Sequence, residues 1–100
     1  MTGPGEYSSM AKEDRMRQVL NLLTETGMAL PPAVVFRNLK LRGATFESRS
    51  VNTYLKELTE GGYVRKVAPE ALDQGELVDV DDLRDEGYYV ATDRADEFPE

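Results

Sequence analysis

The chain has 100 residues, 40% of them apolar, with 12 Lys/Arg against 19 Asp/Glu and neither cysteine nor histidine. That length supports one domain with a single modest core. The missing Cys and His exclude disulfides, thiol nucleophiles, imidazole acid–base chemistry and zinc sites of the common Cys/His kind. No apolar run approaches the roughly 18 residues of a membrane span, and the N-terminus has no apolar leader stretch, so a soluble, cytoplasmic protein with no membrane partner is expected.

The net charge of −7 is unevenly placed. Residues 11–66 carry ten Lys/Arg against six acids, a net of +4, whereas residues 67–100 carry Arg84 and Arg94 against twelve acids, a net of −10. A basic body therefore bears an acidic appendage. Repulsion among those acids should make folding salt-dependent, because the screening length shortens from about 30 Å at 0.01 M salt to about 3 Å at 1 M.

Met1–Met10 is rich in Gly, Pro and Ser without apolar periodicity and reads as a disordered tail; the domain is expected over residues 11–98. From Ala11 the spacing of Met16, Val19, Leu20 and Leu23 predicts a first helix, with Arg15, Arg17, Asn21 and Glu25 off its stripe and Gly27 as its stop. Met28-Ala29-Leu30 is a short extended link, held out of helix by the prolines after it. Pro31 or Pro32 opens a second helix carrying Ala33, Val34, Phe36 and Leu39, which ends near Leu41-Arg42-Gly43. After the turn Gly43–Phe46, a third helix over residues 47–60 places Val51, Leu55 and Leu58 on one face with Tyr54 beside them. Thr45, Glu47 or Ser48 is its cap and Gly61-Gly62 its stop.

Beyond the glycines the period changes to two. Tyr63–Val67 and Gly87–Thr92 read as antiparallel strands, with Tyr63, Tyr88 and Tyr89 as packing and cross-strand residues. The stretch 68–87 between them is a long acidic wing, far beyond the usual hairpin loop of about two to five residues. Asp93–Phe98 adds a short terminal helix capped by Thr92 or Asp93, with Phe98 packing back. The fold class is α+β, a three-helix bundle with a small antiparallel hairpin.

The segment Val51-Asn52-Thr53-Tyr54-Leu55-Lys56-Glu57-Leu58-Thr59-Glu60-Gly61-Gly62-Tyr63-Val64 resembles the signature of winged helix-turn-helix DNA-binding regulators. More narrowly, Leu30–Ala33, Asn38–Phe46 and the closing Gly87–Asp93 resemble the small haloarchaeal phage-repressor-like proteins. The acid excess, eight Arg against four Lys and the absence of Cys also resemble the composition of proteins from extreme halophiles. The resemblance implies a transcriptional regulator, a repressor, whose third helix enters the major groove of double-stranded DNA. Two departures stand out: the wing is acidic where many members of the family carry cations, and a long C-terminal helix of the kind many members use to dimerise is not seen before Glu100.

Opposite the core face, the 100° step of a helix collects Arg49, Asn52, Thr53 and Lys56. Arg suits guanine O6 and N7, Asn adenine N6 and N7, and a Thr methyl the thymine methyl, so Arg49, Asn52 and Thr53 are the candidate base readers. Lys56, Arg37, Lys40, Arg42, Arg65 and Lys66 are candidate phosphate contacts. A solvated polar helix face is the alternative reading of the same pattern. A homodimer is expected through the first helix or the C-terminal segment, where Leu22 and Phe98 are apolar residues the helix-turn-helix does not require.

Asp79–Gly87 lacks the sixth-position Gly and twelfth-position Glu of a calcium loop, so no metal or other cofactor is expected. No nucleophile–base pair or phosphate-cradling loop is visible, and a non-enzymatic role follows. The competing functional reading is a winged-helix module that uses its acidic wing or an apolar helix face to hold a protein partner in a replication, transcription or processing assembly.

Overall fold

The computed structural model of the chain describes residues 4–80 and 87–98, with side chains from Lys12 onward. Residues 1–3 of the expected tail and 81–86 of the expected wing lie outside the described residues. Helix α1 spans Pro4–Thr26, so the stretch 4–10, expected as a disordered tail, is helical. Proline is tolerated in a first helical turn, and a helix anchored by packing gains a bond per added residue without a new nucleus.

The α1 stripe buries Met16, Val19, Leu20 and Leu23 as expected, and Leu22 with them at 2% exposure. Leu22 is therefore core and unavailable for dimerisation. The stripe is wide because α1 packs against α2 (Pro32–Leu41), α3 (Ser48–Glu60) and β2 (Tyr88–Ala91) together. Each leucine so buried contributes roughly 1.5–3 kcal/mol.

In α2 the buried residues are Val35 and Leu39, with Val34 and Phe36 partly covered. Val35, fully buried, was not singled out by periodicity. Four apolar residues in succession, Ala33 to Phe36, offer no polar contrast from which to choose a face. Pro31 is the N-cap of this helix and Pro32 its first residue.

Strand β1 (Val64–Val67) pairs antiparallel with β2 in the register Val64↔Ala91 to Val67↔Tyr88. Both outer edges of this hairpin are occupied. Leu30 and Tyr89 exchange two backbone bonds, Leu30 N–H to Tyr89 O at 2.9 Å and Tyr89 N–H to Leu30 O at 2.8 Å. Burial there pushes the Tyr89 phenol above its usual range. On the other side, the Ala68 N–H donates to Val78 O at 2.8 Å and the Val80 N–H to Lys66 O at 2.9 Å. The wing is consequently more than an open loop. It contains a one-turn helix, α4 (Pro69–Leu72), and returns along β1 through residues 78–80.

After β2 the Thr92 hydroxyl donates to Gly62 O at 2.7 Å and accepts from the Arg94 N–H at 3.1 Å. Neither Thr92 nor Asp93 is the cap expected of the terminal turn, however: Arg94 holds that position, without a side-chain bond. A 3-10 turn, Ala95–Glu97, then carries Phe98 edge-on against Tyr63, with ring centroids 5.3 Å apart. The Arg17 guanidinium lies 5.9 Å from the same ring. Phe98 packs back as expected, and like Leu22 it has work inside the fold. Three main helices and a two-stranded antiparallel hairpin in this order form a winged helix-turn-helix of the α+β class. Among the described residues no helix is long and apolar enough to cross a membrane.

Candidate nucleic-acid interface

The turn between α2 and α3 rests on Gly43. Its φ of +94° lies in the left-handed region that a side chain disfavours. This lets the Gly43 N–H reach Lys40 O and the Ala44 N–H reach Leu39 O, both at 3.0 Å, closing the last carbonyls of α2. The chain reverses there, and Phe46 drops into the core edge-on to Tyr54, centroids 5.7 Å apart. Arg15 of α1 covers the outside of Phe46 at 5.7 Å from its centroid.

Helix α3 then runs from Ser48 with Glu47 as its N-cap, although no side chain there bonds the first-turn amides. Of the three caps expected, Glu47 has the position without the bond. Val51, Tyr54, Leu55 and Leu58 are buried, which fixes the helix's rotation. Gly62, with φ +85°, ends α3 by the same device as Gly43, its N–H on Thr59 O at 3.1 Å and that of Tyr63 on Leu58 O at 3.0 Å.

With α3 so oriented, Arg49, Asn52, Thr53 and Lys56 are all exposed. Their spacing of three, four and seven from Arg49 makes one continuous stripe. The Thr53 hydroxyl donates to Arg49 O at 3.2 Å within the helix, leaving its methyl as its distinctive group. Arg49, Asn52 and Lys56 form no side-chain hydrogen bond or ion pair with the described residues. Of the acids on α3, Glu57 is engaged by Lys12 of α1 at 3.3 Å.

The six expected phosphate contacts divide. Arg37 is exposed and without an ion pair among the described residues, and Lys40 is exposed over the Phe36 ring at 5.6 Å. Arg42 is paired with Glu25 at 2.8 Å, and the Arg65 Nε donates to Asp79 at 2.8 Å while its Nη2 reaches Leu77 O at 3.4 Å. Lys66 is half-buried, its stem lying so close to Gly87 that an added Cβ would come within 2.7 Å of its Cγ. The body cations on α2 and α3 thus share the helix-turn-helix, and the wing cations are engaged by the wing itself.

Sequence reasoning overlooked Ser48, which is exposed in the first turn of α3 beside Arg49. Its candidacy as a cap drew attention away from its exposed hydroxyl. No protein-family model matches the chain, and comparison with curated proteins and with solved structures gives no match.

Proposed function

We propose that this chain is a sequence-specific double-stranded DNA-binding regulator, a cytoplasmic repressor that reads the major groove with α3. One observation carries the reading: Arg49, Asn52, Thr53 and Lys56 form an exposed stripe opposite a fully packed face. The residue types match base edges and phosphate. Their setting supports it further. The first-turn amides of α3 have no side-chain cap, and such donors suit a phosphate oxygen. Arg37 and Lys40 on α2 flank the turn with positive charge.

The rival reading, a protein-interaction module, draws on the wing, where Leu77 and Val78 remain 48% and 49% exposed among acids. A polarisation titration with labelled genomic fragments at one fixed salt concentration separates the two. A preferred fragment should emerge. Arg49→Ala and Asn52→Ala should each weaken binding to it by roughly 1–3 kcal/mol and relax selectivity at particular base pairs. Lys56→Ala should weaken all fragments alike and lower the salt slope by about one. If the folded Arg49 and Asn52 variants bind as tightly as the parent, α3 is not the reader and the partner module takes its place.

A further inference from the structure

Two exposed surfaces of this chain complement each other in charge and in apolar content. On α2, Ala33, Arg37 and Leu41 are all exposed, and their four-residue spacing sets them along one ridge, with Lys40 beside it. Leu41 is 85% exposed, more than any other large apolar side chain among the described residues. On the wing, Glu70, Asp73 and Glu76 are exposed and lead directly into Leu77 and Val78, about half-exposed. One surface sets two cations around a leucine; the other sets three carboxylates beside a leucine and a valine.

We propose that these surfaces bind each other between copies of this chain, the α2 ridge of one copy against residues 70–78 of the next. A second copy is favoured over a foreign partner because one chain displays both halves of the contact. The apolar side chains supply the attraction, and Arg37 and Lys40 facing the carboxylates supply its register. The contact is heterologous, so each copy that uses its ridge keeps its wing free for another. It engages Arg37 and Lys40, the cations that the proposed function gives to phosphate, so self-association and DNA compete for them. The surfaces are small beside the roughly 1,200–2,000 Å² of a standard interface, which makes the association weak and best seen at high protein concentration.

Sedimentation velocity of the full chain without DNA tests this independently of the proposed function. The parent should self-associate at about 0.1 M salt, and at about 1 M the constant should fall roughly tenfold as screening shortens from about 10 Å to about 3 Å. Arg37→Glu combined with Leu41→Asp should sediment as a monomer, and so should Leu77→Asp combined with Val78→Asp. Because these positions are exposed, both variants should melt with the parent by circular dichroism. Mixed one to one they should associate again, since each retains the surface the other lacks. A parent that stays monomeric, a variant that associates as the parent does, or a mixture that stays monomeric beside an associating parent would each overturn the inference.

Discussion

Leu55 in α3 is fully buried, and Leu77 in the wing keeps 48% of its surface exposed; the contrast between these leucines is that between the regions holding them. Around Leu55, three helices and β1 close a continuous apolar cluster running from Met16 to Val64 and Ala95. Around Leu77 the chain is held by backbone bonds to β1 and by the exposed Arg65–Asp79 pair. The body is specified by burial, which is cooperative and large. The wing is specified by hydrogen bonds and an ion pair, each worth little net in water. One protein thus joins a rigid helical body to a segment of much lower local stability.

The largest effect that could break this contrast comes from truncating the two leucines. Leu55→Ala should cost roughly 2–5 kcal/mol and lower the melting temperature of the whole chain. Leu77→Ala should stay within about 0.5 kcal/mol. Equal losses in denaturant titrations would mean that the wing is core after all.

Two glycines sharpen the comparison at intermediate size. Gly62 and Gly75 both have positive φ, +85° and +77°. An added Cβ at Gly62 would meet the Arg94 guanidinium at 2.7 Å, whereas at Gly75 it would meet nothing within 4 Å. Gly62→Ala should therefore cost roughly 1–2 kcal/mol globally, since it strains the end of α3 and displaces Arg94 from its place 5.4 Å from the Tyr63 ring. Gly75→Ala bears only the backbone strain, about 1 kcal/mol, and should loosen the wing alone. Thermal melts read the first, and amide exchange at Glu76, whose N–H bonds Ala71 O at 2.9 Å, reads the second.

The smallest effect belongs to the ion pair. Asp79→Asn should change global stability by no more than about 1 kcal/mol, because both partners are well exposed. It should nevertheless speed hydrogen exchange at Ala68 and Val80, the amides that tie residues 78–80 to β1. Unchanged exchange at both would show that the backbone bonds hold the wing without the carboxylate.

What the sequence made legible follows the same division. The α3 face and its glycine stop were readable because apolar residues recur there with a clear helical period. The exposed stripe from Arg49 to Lys56 followed from that period alone. The period of two expected of the strands is absent from their burial, since Val64 and Val67 are buried with Arg65 and Lys66 half-buried between them and β2 is half-buried throughout. Val35 was hidden in an unbroken apolar run, and Leu22 looked spare because a fourfold stripe already accounted for α1. The partners of Arg42 and Arg65 could not be read at all. Glu25 and Asp79 are distant from them in the chain, and only the packing of α1 near the turn and the return of residues 78–80 bring the charges together. Local pattern reveals faces; it does not reveal which faces meet.

The reciprocal bonds between Leu30 and Tyr89 place β2 in the middle of the sheet, between β1 and the link before α2. Yet β2 is the last strand in chain order. During synthesis all three helices of the body and β1 leave the ribosome before residues 88–91 do, and their sheet-bonding edges must wait. Closing the sheet requires Leu30 to find a partner most of the chain away, a step that loop entropy makes slow. The nascent chain is therefore expected to form its helices early and to acquire its sheet only as the final strand slides between two edges already made. Until that moment those edges are open to any other extended segment nearby.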